Sequence, residues 1–162
     1  NVLLSGGNAD NEIMVWDTET GERTRTLSGH EGGTFCIKPS YYGTLYASVG
    51  HDKLLKLYDL RNPEPLSKID LSEYGEPDFI AINSESSETN VMSAAVSHEC
   101  GTVSLWDLNM QRIITEVKAH DEPAKGVSFS FDNKYICSAG FDKKIQIMNS
   151  ELEIIKTLEH DD

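Results

Sequence analysis

Basic residues are scarce in this sequence: 14 Lys plus Arg stand against 27 Asp plus Glu in 162 residues, a formal net charge of −13. Phosphate-backbone binding relies on clustered Lys and Arg, and no such cluster is visible, so nucleic acid is not expected as a direct partner. Long apolar runs are also missing, none approaching the ~18 residues of a transmembrane helix. The opening Asn1-Val-Leu-Leu-Ser5 has neither Met nor a basic n-region, so it reads as a chain cut inside a strand rather than a signal peptide. Cysteine is sparse. Cys36, Cys100 and Cys137 are odd in number and lack C-x-x-C spacing, and there is no Asn-x-Ser/Thr sequon. That usage points to reduced thiols in a cytoplasmic or nuclear setting. With 38% apolar and 25% charged residues, the chain is expected to fold as a globular unit.

What is present is a repeat. Trp16-Asp17, Tyr58-Asp59, Trp106-Asp107 and Met148-Asn149 each close a short apolar run, at spacings of 42, 48 and 42 residues. From His30, steps of 18, 22 and 28 reach Ser48, Asp52 and Tyr58; from His120 the same steps reach Ser138, Asp142 and Met148. Between these anchors the apolar pattern has period two, broken by turn residues. It predicts strands near 1–5, 12–17 and 23–27, then 34–38, 44–49, 53–59 and 66–69. Further strands follow near 78–83, 91–97, 102–107 and 113–117, and near 125–129, 134–139, 143–148 and 152–158. Turns are expected at Tyr42-Gly43, Gly50-His-Asp52, Phe131-Asp-Asn133 and Gly140-Phe-Asp142. The longer 48-residue spacing is assigned to a Ser-rich acidic loop at 83–90, a surface insert. No stretch argues for a long helix. The fold class is all-β.

A four-stranded unit of ~40–45 residues with Gly-His and Trp-Asp pairs is the mark of a propeller blade. Gly29-His30 with Tyr58-Asp59, Leu105-Trp-Asp-Leu108, and Ala119-His120 with Ser138 and Asp142 resemble WD40 repeats. The resemblance covers the whole chain, 1–162, as a partial propeller. It implies an incomplete repeat at about 1–28, lacking its innermost strand, and full repeats at 29–69, 70–118 and 119–159. The third departs from the pattern. It has no His near Gly75, and it has Val96 and Cys100 where Ser and Asp are expected, so it should lack the usual polar network. Four such blades do not close a ring of the seven common in the family. Apolar end faces are therefore expected, covered by further blades of a longer chain or by a second copy.

His30, Ser48 and Asp52 carry the residue types of a hydrolase triad, in which His activates Ser and Asp holds the imidazole tautomer. The set recurs as His120, Ser138 and Asp142, there is no G-x-S-x-G elbow, and both serines sit in mid-strand apolar runs. These features favour a structural staple over a catalyst. In the resembled family the relay ends on a Trp indole; Tyr58 replaces it imperfectly, and Met148 has no donor. No cofactor is expected. His51 and His98, like Asp10, Asp121 and Glu122, read as solvated turn residues rather than metal ligands.

The resemblance implies a platform for other proteins, in a scaffold or adaptor role without catalysis. In the resembled family the residue before the turn Asp lies on the face used for partners, and the matching positions here are His51, Glu99 and Phe141. Phe141 has no strand face to fill, and aromatic anchors are enriched at binding hot spots. Acidic neighbours favour a basic partner segment. Tyr58-Asp59-Leu60-Arg61 resembles the W/Y-D-x-R ending of substrate receptors of cullin-RING ubiquitin ligases, where Arg61 would reach the adaptor protein. Arg23, Arg25 and Lys68 place charge on outer strands, which discourages edge pairing.

Overall fold

A computed structural model describes residues 1–7, 11–40, 43, 45–83 and 92–160. Asp10, Tyr42 and most of the 83–90 loop lie outside them. The first sheet holds β1 (Val2–Gly6), β2 (Glu12–Asp17) and β3 (Arg23–Ser28). Next come β4 (Thr34–Pro39), β5 (Leu45–Gly50), β6 (Leu54–Asp59) and β7 (Ser67–Asp70), then one turn of 3-10 helix at Ser72–Tyr74. The third sheet holds β8 (Pro77–Ile82), β9 (Ser93–His98), β10 (Thr102–Asp107) and β11 (Arg112–Lys118). The fourth holds β12 (Ala124–Phe129), β13 (Tyr135–Gly140), β14 (Lys144–Asn149) and β15 (Ile154–Glu159). Each sheet is an antiparallel meander in chain order, the first of three strands and the others of four. The chain folds as WD40-type propeller blades that do not form a closed ring.

Three apolar cores lie between consecutive sheets. Ile13, Val15 and Leu27 meet Tyr46 and Tyr58 between the first and second. Leu55, Leu57 and Ile69 meet Ile80, Val96 and Trp106 between the second and third. Ala95, Val103 and Leu105 meet Val127, Ile136 and Met148 between the third and fourth. Central strands β5 and β9 are buried on both faces, because the second and third sheets are each covered on both sides by a neighbour.

The two end sheets differ. In the second sheet, Leu55 pairs with Ile69, and both pack onto the third sheet beside Leu57. The matching positions of the fourth sheet are Ile145 paired with Leu158, and Ile147, all outside the buried core. Tyr135 and Leu158 on that sheet, and Val2 and Leu3 on the first, are exposed.

Candidate functional site: a polar staple and one decorated face

The same β-bulge occurs near the start of β4, β8 and β12, at Phe35, Asp78 and Lys125. A bulge leaves its extra residue unpaired and re-aims the side chain. These three project from the strand ends that adjoin the turns carrying His51, Glu99 and Phe141. His51 Nδ1 pairs with the Glu76 carboxylate, and the Phe35 ring meets His51 edge-on at 6.1 Å. Lys125 Nζ donates to both Asp78 oxygens at 2.8 and 2.9 Å and lies 5.3 Å from the centroid of Phe141. Phe141 is 63% exposed, so its ring is not folded into the blade. Glu99, Asp121 and Glu122 are exposed, with Asp121 accepting from Lys144 at 3.0 Å. Period-two reading of the sequence missed Phe35, Asp78 and Lys125, because a bulge hides inside an otherwise regular strand.

Beneath this face the second sheet is stapled by side chains. His30 Nδ1–H donates to Asp52 at 2.6 Å, since a carboxylate can only accept, and Nε2 accepts from the Ser48 hydroxyl at 2.6 Å. Burial lowers the His30 pKa, which keeps the ring neutral. Burial alone would raise Asp52, but hydrogen bonds from Lys56 and His30 outweigh it and hold the carboxyl below its ordinary value. Lys56 is buried on β6; its Nζ reaches Asp52 at 2.8 Å and donates to the Gly29 carbonyl at 2.7 Å. A charge inside Leu54-Leu55-Lys56-Leu57, four residues after Asp52, was the available signal for this fourth member. The buried Tyr58 hydroxyl has no hydrogen-bond partner among the described residues, Ser48 being committed to His30. Burial pushes its pKa up to about 12.

The fourth sheet repeats the arrangement: His120 Nδ1 lies 2.9 Å from Asp142, and Nε2 lies 2.8 Å from Ser138. Met148 fills the final position with a buried thioether. In the first sheet, the Trp16 indole donates to Ser5 at 2.8 Å.

The third sheet corrects one expectation: His98 is not a solvated turn residue but is fully buried on β9. The usual relay is absent from this blade, and a different polar contact stands in its place: Ser104 Oγ lies 2.7 Å from both His98 Nε2 and the Trp106 indole nitrogen. Val96 and Cys100 rule out the Asp–His–Ser relay, and His98 brings its own ring instead. Burial pushes its pKa down to about 4. Tyr74 lies against both rings, at 5.8 Å from His98 and 5.7 Å from Trp106. Cys100 is exposed, Cys137 half-buried and Cys36 buried, all as thiols.

Arg61 extends from the end of β6, and its guanidinium folds onto Asp59, with Nε 2.9 Å from each carboxylate oxygen. This contact holds Asp59 down to about 2. Among the outer-strand charges, Arg23 and Lys68 are exposed, while Arg25 donates to the Leu60 carbonyl at 2.6 Å. Among the described residues, no group of three or more His, Cys, Asp or Glu gathers to hold a metal ion.

The family model described as "WD domain, G-beta repeat" matches residues 21–59 and 111–149. WD repeat-containing protein SL1-17 of Schistosoma mansoni is 26% identical over 147 residues, covering 91% of this chain and 46% of its own length. Autophagy-related protein 16 of Arabidopsis thaliana is 23% identical over 160 residues, 98% of this chain and 30% of that protein. The DDB1- and CUL4-associated factor 7 homolog of Dictyostelium discoideum is 27% identical over 150 residues, 90% of this chain and 45% of that protein. The chain thus spans less than half the length of these curated relatives. With four stacked sheets, a His–Asp staple recurring between His30 and His120, and these matches, the chain belongs to the WD40-repeat family.

Proposed function

We propose that this chain is a non-catalytic scaffold or adaptor that binds other proteins through the face bearing Phe35, His51, Glu99 and Phe141. The observation that carries this reading is Phe141, a large apolar ring 63% exposed on a strand-end turn, whose backbone N–H bonds the Pro123 carbonyl just after the exposed Asp121 and Glu122. Aromatic anchors in such settings dominate binding energy, and the acidic surroundings favour a basic segment. Phe141→Ala should abolish retention of a binding partner while the far-ultraviolet spectrum and melting temperature stay unchanged. Retained binding would refute this use of the face.

The Ser–His–Asp geometry does not support hydrolysis. Ser48 is 0% and Ser138 1% exposed, so a substrate carbonyl has no approach to either hydroxyl. A serine-directed fluorophosphonate should label neither residue.

A second, narrower reading rests on Arg61. Its side chain is 86% exposed while its fork is oriented by Asp59, the arrangement expected of an Arg presented to an adaptor. The name of the Dictyostelium relative associates that protein with DDB1 and CUL4. Under this reading the chain captures purified DDB1, and Arg61→Ala abolishes capture without altering the fold.

The exposed apolar positions of the first and fourth sheets take further blades or a second copy. The cysteine usage, three unpaired thiols without C-x-x-C spacing, supports a cytoplasmic or nuclear site of action.

A further inference from the structure

β4, β8 and β12 lie side by side, and the ends that carry Phe35, Asp78 and Lys125 are only one of their two termini. At the other, the strands open into a groove of about 600 Å³. Its lining is mostly apolar, with Pro39, Phe79, Ile82 and Phe129 as its walls and Phe131 at its mouth. Phe131 is 101% exposed in the β12–β13 turn. It does not contribute to the three inter-sheet cores. An isolated exposed aliphatic residue needs no explanation, but a fully exposed phenylalanine beside further aromatic rings is a patch of the kind that partners cover.

The groove also has a charge, and its sign is unusual for this molecule. Lys38 is the one Lys, Arg, Asp or Glu among the lining residues, in a chain whose net charge is −13. Its Nζ lies 4.7 Å from the centroid of Phe79, over the ring face. Among the described residues it has no carboxylate partner within ion-pair distance. Asp132, which lies between the lining residues Phe131 and Asn133 in the chain, is engaged elsewhere: Ser130 donates to it at 2.7 Å and Lys134 lies 3.8 Å away. An ammonium held against a ring is partly desolvated and keeps donors to spare. A carboxylate delivered beside an apolar anchor supplies the partner that Lys38 does not find among the described residues, while the anchor fills the space between Phe79, Phe129 and Phe131.

We propose that this groove is a second docking surface, for a peptide segment that carries an aliphatic or aromatic anchor next to an acidic side chain. It rests on the protein-binding reading above but uses the opposite strand ends and the opposite charge. A chain with both faces in use could hold a basic segment on one side and an acidic, apolar one on the other.

The test is selection of a random dodecapeptide phage library on the full chain, followed by affinity measurement of synthetic versions of the enriched peptides. Enriched sequences should combine a large apolar residue with Asp or Glu within two positions. They should lose about tenfold or more in affinity to Phe131→Ser, the ratio expected of a hot-spot contact. Lys38→Glu should reverse the preference to basic flanks, and Phe141→Ala should leave binding unchanged. Phe131 is fully exposed, so its replacement does not threaten folding, and a melt of each variant checks this. The proposal is overturned if no peptide enriches, if enriched peptides lack an acid, or if they bind Phe131→Ser and Lys38→Glu as well as the parent. It is also overturned if Phe131→Ser converts a dimer to a monomer in light scattering, since a second copy would then be the occupant. Loss of binding on Phe141→Ala alone would return the peptides to the first face.

Discussion

His98 occupies the place in the third sheet that Gly50 holds in the second, and the two solve one packing problem in opposite ways. A Cβ at Gly50 would lie 2.5 Å from the His30 ring and 2.3 Å from the Gly33 carbonyl. Glycine is needed there because a histidine from the preceding loop rests on it. Gly140 has the same relation to His120, at 2.5 Å. The third repeat has no loop histidine, the space is open, and residue 98 fills it with its own imidazole.

Gly50→Ala should therefore destabilise the chain by roughly 1–3 kcal/mol, the cost of overpacking a filled site. His98→Ala should cost on the order of 2–4 kcal/mol, by emptying a buried site. Urea midpoints measure both. A neutral Gly50→Ala would show that His30 can move aside.

Acid should loosen the third sheet. The folded pKa of His98 is about 4 against an ordinary 6.5, so the unfolded chain binds the extra proton as pH falls through that window. Its stabilising share is complete above 6.5 and declines toward pH 4, by roughly 3 kcal/mol in all. The lowered His30 acts in the same direction, and the lowered Asp52 adds a loss once pH enters the carboxylate range. Denaturation midpoints at pH 7.0 and 5.0 should fall for the parent and fall less for His98→Gln. Equal slopes would assign the effect to other groups.

Lys56→Ala should be more damaging than an exposed lysine change. It leaves the Asp52 carboxylate with His30 as its remaining side-chain partner and strands the Gly29 carbonyl. Breaking a buried ion pair costs roughly 3–5 kcal/mol. Because the pair is one unit, Lys56→Met with Asp52→Asn should cost clearly less than the sum of the single changes. Additive losses would mean the two side chains act independently.

The apolar end faces should be visible in solution. Size exclusion with light scattering on the 18.0 kDa chain, together with hydrophobic-dye binding, distinguishes the occupants. A monodisperse species of twice that mass with little dye bound would place a second copy on Ile145, Ile147 and Leu158. A monomer that binds dye strongly, or aggregates, would assign those faces to further blades. Ile147→Lys should reduce dye binding in the second case and dissociate the dimer in the first.

Much of the fold is legible in the sequence. Strand starts and ends agree within two residues almost throughout, because period-two alternation and the Gly-x-Asp turns are local signals. The spacing of His30, Ser48 and Asp52 marked the staple, since equal offsets in repeated units place residues at equal positions. Three things were not legible. The bulges that turn out Phe35, Asp78 and Lys125 shift register by a single residue without changing composition. The buried state of His98 depends on the absence of a histidine elsewhere, which no window around residue 98 contains. Lys56 looked like an ordinary strand charge until Asp52 and the Gly29 carbonyl were brought to it.

Repeated short-range patterns in the order of residues suffice to specify strands, turns and blades, and with them the class of structure. Which polar groups are sealed and which are offered is settled when the sheets stack. Burial of Ser48, exposure of Phe141, and the pairing of Lys125 with Asp78 but of Lys38 with a bare ring all depend on what an adjacent sheet covers. That is a property of sheets stacked in space, set by residues more than 40 positions apart.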